Sequence, residues 1–422
     1  MKARLAAVVL AVTALTAVQL IGVAPARAVP PAGACHDPDP GRAPVRELPW
    51  AQKLLDPQRV WPFSRGAGVL VAVVDSGVDA DHPQLRGRVR AGKDFFTTRN
   101  RPATFDCVSH GTAVAGIVAA AQVPGVGFHG VAPDAAILPV RISDRDVDDR
   151  GETLRIDPQI LANGIRYAAD AGAKVLNLSL AGYDDYPAVR AAVAYAVAKD
   201  VLVVAAAGNG QQSGGAEWPS FPAAYDGVLG VGAIDIDGAL MSGSRTGQYV
   251  DIVAPGVKVL APTRVTGHAY VDGTSFAAPF VAGTAALVRA AWPALTAAQV
   301  AQRLIATANP ARGGLHSTRY GAGLVDPYRA VTDGLDLRGP GELPAFVPDP
   351  PDEARIAEAA RQHRVATVAK WLTGAAVGGV GLAFVAALVL PRGRRRRWQA
   401  GWAAPSPVEP EIVEPPEQTF LI

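Results

Sequence analysis

The chain has 422 residues, a formal net charge of +2 and 49% hydrophobic residues. That balance excludes the electrostatic footprint of a nucleic-acid binder, and the apolar content is ample for a large core. Two cysteines exclude a disulfide-framework scaffold, while 44 Gly and 35 Pro fit a loop-rich globular domain with a Pro-rich linker.

At the start, Lys2 and Arg4 precede an apolar run from Leu5 to Val23, and Ala26-Arg27-Ala28 follows as a small-x-small cleavage site. This is the grammar of a secretory signal peptide over 1–28, with an uncleaved N-terminal anchor as the other reading. Residues 29–66 are Pro-rich, with one short helix expected at Trp50 to Leu55, and are too few for an independent domain. Cys35 and Cys107 both lie in the exported part, where an even pair forms a disulfide more readily than two free thiols.

From 67 to 335, short β-branched runs alternate with Ala-rich helical stretches. Val69 to Val74 is continuously apolar, as a strand buried on both faces requires. Further strands are expected at Ile137 to Ile142, Lys174 to Leu180, Val201 to Ala206, Val228 to Ile234 and Val250 to Val253. Helices are expected at Ala113 to Ala121, Ile160 to Ala171, Tyr186 to Lys199, Ser275 to Ala291 and Thr296 to Ala306. This βαβα order predicts an α/β fold, a doubly wound, mainly parallel sheet with helices on both faces.

Residues 336–370 read as a Pro- and acid-rich linker followed by a helix. Residues 371–390 carry no charge, and 20 residues at about 1.5 Å rise match the hydrocarbon thickness of a bilayer. Arg392 and Arg394 to Arg397 follow as a stop-transfer cluster, so 391–422 is expected in the cytoplasm and the bulk of the chain outside. Gly374-x-x-x-Gly378 could admit a second helix, but simple composition is the preferred explanation.

Four motifs fall at strand ends or helix starts, where open parallel sheets place their sites. Asp75-Ser76-Gly77 ends the first buried strand, where a carboxylate can orient a histidine. His110-Gly111-Thr112 opens a small-residue helix that presents an imidazole. Gly273-Thr274-Ser275-Phe276-Ala277-Ala278-Pro279 puts Ser275 at a helix N-terminus, which favours developing negative charge. Pro279 is tolerated so near the helix start because an amide there lacks an intrahelical partner. Asn209, in Ala206-Ala207-Gly208-Asn209, can donate its amide to an oxyanion. Taken singly, each has a plainer reading: an Asx turn, a surface histidine, an N-cap serine and an Asn-Gly turn.

Together and in this order, these motifs resemble the subtilisin family of serine proteases, over roughly Gly68 to Ala330 and including Tyr320 to Asp326. The order Asp, His, Ser separates it from chymotrypsin-like and α/β-hydrolase arrangements. The resemblance implies a triad of Asp75, His110 and Ser275, with Asn209 and the Ser275 amide as the oxyanion hole. It also implies that Ser179, Leu180, Ala181 and Gly182 flank the specificity pocket together with Ala206, Ala207 and Gly208. Val140, Arg141 and Ile142 would be the other peptide-pairing edge, with substrate bound as an extended strand between them.

The whole-chain plan, with Trp50, Leu54-Leu55 and Arg59-Val60-Trp61-Pro62 in the extension, is similar to the mycosins. That group implies a membrane-anchored protease associated with actinobacterial type VII secretion, acting on exported or cell-envelope proteins. The alternative is a mainly structural component of that membrane complex. Unlike a removable folded propeptide, the short 29–66 segment is expected to wrap the catalytic domain and stay attached.

No cofactor, metal or nucleic acid is expected. Asp144, Asp146, Asp148 and Asp149, interleaved with Arg145 and Arg150, read as a solvated loop rather than a calcium site. His36, His82, His129, His268, His316 and His363 show no metal-ligand spacing and read as surface or structural.

Overall fold

The computed structural model describes residues 30–335, except 32, 36, 98–100, 145–155, 211–217, 312–313 and 315–316, together with residues 353–395. The expected signal peptide, most of the linker and the tail beyond 395 lie outside the described residues, as do Asp146, Asp148 and Asp149.

Seven strands form one sheet: β1 (Leu70–Asp75), β2 (Lys93–Asp94), β3 (Ala136–Arg141), β4 (Val175–Leu178), β5 (Leu202–Ala206), β6 (Val228–Ile234) and β7 (Ile252–Pro255). Their order is β2-β3-β1-β4-β5-β6-β7, and every pairing is parallel. The chain leaves β1 toward β3 on one side and then returns to β4 on the other. The direction of winding therefore reverses at β1, the place where such sheets open a crevice at the carboxyl ends of their strands. Asp75 ends β1 at that point.

Successive side chains of β1 face opposite sides of the sheet, so a single apolar run serves two cores. Val71 and Val73 pack with α2 (His110–Ala119), α5 (Thr274–Ala291) and α6 (Ala297–Ala306). Ala72 and Val74 pack with α3 (Pro158–Asp170) and α4 (Pro187–Ala198) on the other face. Each fully buried Val contributes on the order of 1.5–3 kcal/mol relative to exposure. Helix α5 is long and apolar enough to cross a membrane, but 83% of it is buried inside the domain, so it is a core helix.

Element positions follow the sequence expectation with small shifts at the ends. Four elements carry no periodic signal of their own: the two-residue β2, the antiparallel hairpin strands β8 (Val259–Pro262) and β9 (His268–Val271), and α7 (Pro327–Thr332).

The segment before β1 shares the main core rather than sitting beside it. Helix α1 (Trp50–Leu55) buries Ala51 and Leu55, and Val60 follows at 0% exposure. Trp61 Nε1 donates to Val131 O at 3.0 Å, Gln52 Nε2 to His129 O at 3.1 Å and Ser64 Oγ to Leu287 O at 2.7 Å. Upstream, the backbone runs against the hairpin, with Arg42 N donating to Thr266 O at 2.8 Å. It comes so close to the domain that a Cβ on Gly127 would lie 2.1 Å from Glu47 O. Cys35 and Cys107 are joined in a disulfide with Cα atoms 5.4 Å apart.

A second compact unit holds α8 (Glu353–Arg395), one continuous helix of 43 residues. No break separates the expected juxtamembrane and membrane helices. Among its described side chains, Trp371 is 76% and Val380 71% exposed.

Candidate active site

The carboxylate of Asp75 is buried, and its Oδ1 accepts from His110 Nδ1 at 2.7 Å and from Ser76 N at 2.7 Å. His110 is the first residue of α2, and Gly111 makes its approach possible. A Cβ on Gly111 would lie 2.0 Å from Gly77 O and 3.1 Å from Asp75 Oδ1. Holding Nδ1 as the donor leaves the other ring nitrogen as a proton acceptor.

Beneath this pair lies a residue that the motif reading passed over. Asp106 is 1% exposed, and its carboxylate accepts from Ser76 Oγ (3.0 Å), Val108 N (3.0 Å), Thr112 N (2.9 Å) and Thr112 Oγ1 (2.7 Å). Ser76 Oγ in turn accepts from Gly111 N at 3.0 Å. Burial pushes the Asp106 carboxyl above the usual range, against the Thr112 and Val108 hydrogen bonds, with the charge of Asp75 adding to the rise. Arg264 also escaped the sequence reading. It donates from Nε to Asp106 O (2.9 Å) and from Nη1 to Asp39 O (2.6 Å), tying the segment 106–109 to the N-terminal extension. Neither residue has a sequence signal, because both act through contacts between distant segments.

Ser275 is the second residue of α5, so its amide is among the first-turn N–H groups that lack helical partners. Pro279 requires a correction. It is the sixth residue of the helix, where an amide would normally bond to the carbonyl of residue 275. Proline removes that bond, and the Ser179 hydroxyl takes its place, donating to Ser275 O at 2.6 Å. Asn177 Nδ2 donates to Ser179 Oγ at 2.8 Å and holds the hydroxyl in place. The Phe276 ring lies against the His110 ring, centroids 5.1 Å apart, which brings the starts of α2 and α5 side by side.

Asn209 follows β5, and its Oδ1 accepts from Thr274 N (3.0 Å) and Thr274 Oγ1 (3.1 Å). With the oxygen committed to Thr274, the amide nitrogen is the end left to donate elsewhere. Gly273, at φ +142°, keeps that approach open, since a Cβ there would lie 3.3 Å from Asn209 Nδ2.

Among the expected substrate contacts, Ala206 ends β5, Ala207 and Gly208 lead from it to Asn209, and Ser179 to Gly182 continue from β4. Gly182 already exchanges both backbone hydrogen bonds with Phe221, at 2.8 and 2.9 Å. Val140, Arg141 and Ile142 are not a peptide-pairing edge. Val140 and Arg141 pair with β1 on one side and β2 on the other, Ile142 N donates to Asp75 O, and all three are at most 2% exposed. The Arg141 guanidinium is internal, donating to Ser76 O (3.1 Å) and Asp94 Oδ2 (3.2 Å) between the rings of Phe96 and Phe105. The two-residue strand β2 covers this side, and its shortness hid it from the periodicity. Of the histidines read as surface or structural, His82, His129 and His268 are buried, which fits the structural reading, and His36 and His316 lie outside the described residues.

Comparison with known proteins agrees with this geometry. Residues 66–323 match the subtilase family, peptidase S8. The chain is 40% identical over 273 residues to the thermophilic serine proteinase of Bacillus sp. strain AK1, covering 64% of each chain. It is 39% identical to mycosin-4 of Mycobacterium tuberculosis, over 66% of this chain and 68% of that one. Among solved structures, MycP1 from Mycobacterium smegmatis is similar at a TM-score of 0.63 and 30% identity, covering 75% of this chain and 94% of its own. The MycP3 protease from the type VII (ESX-3) secretion system gives 0.57 and 33%, covering 71% and 95%.

Proposed function

Because the chain belongs to the subtilase family, we propose that it is a serine endopeptidase with Ser275 as nucleophile, His110 as general base and Asp75 as the group that orients His110. The observation that carries this reading is the 2.7 Å contact between His110 Nδ1 and Asp75 Oδ1 beside the start of α5. His110 takes the Ser275 proton as Oγ attacks the scissile carbonyl, and the buried Asp75 carboxylate stabilises the imidazolium. The Asn209 amide and the Ser275 N–H receive the oxyanion, at a site water does not have to reorganise. His110 then returns its proton to the leaving amine, and water releases the acyl-enzyme by the reverse sequence. Leu180 and Ala181 on one side, with Ala206 to Gly208 on the other, wall the pocket beside Ser275.

The full chain in detergent should hydrolyse casein and react with a fluorophosphonate probe. Ser275→Ala should abolish labelling and lower turnover by about 10⁶, a figure taken from subtilisin. Labelling that persists in Ser275→Ala would refute the assignment.

The proposal extends to the cellular setting. The protease acts outside the membrane, anchored through 371–390, beside a type VII secretion apparatus whose exported proteins include its substrates. The uncharged 371–390 segment, its exposed apolar side chains in α8 and the similarity to MycP3 support this. Protease protection of sealed spheroplasts should leave only the tail shielded, and a shielded catalytic domain would reverse the topology. The 29–66 segment stays attached, in keeping with its buried Ala51, Leu55 and Val60. N-terminal sequencing should find a start near Val29, and a start at Gly66 or later would overturn this.

A further inference from the structure

Against the two backbone segments proposed above to wall the pocket lies a residue with no role in the reaction just described. Arg245 is 9% exposed and reaches them from the segment between β6 and β7. Its Nη1 donates to Ser220 Oγ at 3.1 Å and lies 3.4 Å from Gly182 O, and its guanidinium stacks on the Tyr183 ring at 3.6 Å. Nε is buried with no hydrogen-bond partner, and among the described residues no carboxylate pairs with this cation.

The space is already taken where the two pocket walls face each other. A Cβ on Gly208 would lie 2.9 Å from Arg245 Cδ, 3.1 Å from Arg245 Nε and 3.0 Å from the Ala181 Cβ. The Arg245 stem and the Ala181 methyl therefore both reach into the gap between the Gly208 backbone and the Ala181–Gly182 backbone. The Ser220 contact and the Tyr183 stacking hold the Arg245 side chain in that position, so it does not swing clear at little cost.

We infer that Arg245 and Ala181 set the specificity of this protease, closing the pocket for the residue that donates the scissile carbonyl (P1) to all but Gly, Ala and Ser. A bulky P1 side chain meets the Arg245 stem, and overpacking such a gap is costly. A Lys or Arg at P1 meets a buried like charge in addition. A P1 carboxylate is not selected, because the Nη1 edge is committed to Ser220 and the stem blocks the depth that Glu requires. This inference rests on the reading of Ser275 as the nucleophile beside the pocket.

The test has two arms, both on the full chain in detergent. In the first, fluorogenic peptides identical except at P1 should give a kcat/KM for Ala about 100-fold above Phe and Lys. Arg245→Ser and, separately, Ala181→Gly should each raise the Phe-to-Ala ratio about tenfold or more. In the second, the Ser275→Ala variant should bind product peptides ending in Ala more tightly than those ending in Phe, and adding Ala181→Gly should erase the difference. Equal use of Phe and Ala by the unmodified protein, preference for Glu, or ratios unmoved by both substitutions would overturn the inference. Discrimination in the binding arm without any hydrolysis would instead sink the proteolytic reading and leave the pocket assignment standing. Should Arg245→Ser fail to fold, Ala181→Gly removes only a methyl group and still decides the matter.

Discussion

Acid should loosen the hold of the domain on its N-terminal segment, and His268 is where the effect concentrates. Its Nδ1 accepts from Val45 N at 3.2 Å, and its Nε2 donates to Gln84 Oε1 at 2.7 Å. Gln84 Nε2 donates to Ala121 O (2.9 Å) and Phe128 O (2.8 Å), which fixes its oxygen as the acceptor. The ring is therefore neutral, and a proton on Nδ1 would face the Val45 N–H donor to donor. Burial and the nearby His82 lower its pKa to about 4, against 6.5 for an ordinary histidine. Below pH 6.5 the unfolded chain takes up a proton that the folded chain refuses, so the stability present at pH 7 is lost as pH falls toward 4. Between pH 7 and 5 this amounts to about 2 kcal/mol, or about 4–8 °C in Tm for a domain of this size. Asp251 acts in the opposite sense. Burial raises it to about 7, so it favours the folded state as pH falls. His82, lowered by burial and Arg86 against the opposing pull of Gly267 and Asp79, and His129, also lowered by burial, add to the effect of His268. The difference between unmodified protein and His268→Gln isolates the one group. Tm measured by calorimetry from pH 7 to pH 5 should fall by several degrees more in the unmodified protein than in the variant. Parallel curves would refute the reasoning.

Asp75→Asn should keep the fold and lower kcat by about 10⁴, because the amide no longer selects the working tautomer of His110; the check is a kcat measurement beside an unchanged circular dichroism spectrum. Asn209→Ala should cost about 100- to 1,000-fold in kcat with little change in KM, a magnitude taken from subtilisin, and steady-state kinetics tests it. Gly111→Ala puts a methyl 2.0 Å from Gly77 O, so the start of α2 must shift. The expected result is a loss of about 1–3 kcal/mol in denaturant unfolding together with a fall in kcat. Cys35→Ser with Cys107→Ser opens a loop with a sequence separation of 72 residues. Chain entropy sets the loss at about 4 kcal/mol at most, read as a lower Tm that reductant no longer changes.

The four chemical motifs were legible because each is a local necessity. A strand-end carboxylate, a helix-start histidine with a following glycine, and a serine ahead of a small-residue helix each need their neighbours in the sequence. The two-faced apolar run at β1 likewise announced a parallel sheet with helices on both sides. What the family resemblance misplaced was sidedness. Val140 to Ile142 reads as an edge until β2 is seen to pair beyond it, and two residues are too few to leave a periodic trace. Pro279 was credited with an amide free of obligations, and only the helix start at Thr274 shows whose hydrogen bond it removes.

By itself, then, the sequence determined the class of chemistry, the order of the candidate triad residues, the parallel sheet, the cysteine pair and the apolar 371–390 span, all of which depend on residue type and spacing. The tertiary structure alone decided the parts that depend on distant segments meeting. Asp106 lies under the His110–Asp75 pair, Ser179 supplies the hydrogen bond that Pro279 withholds, and Arg264 ties segment 106–109 to the extension. Arg245 crosses to the wall formed by Gly208 and Ala181. Long-range contacts of this kind leave no periodicity in the chain, because the partners are set by packing and hydrogen-bond satisfaction rather than by neighbours in sequence.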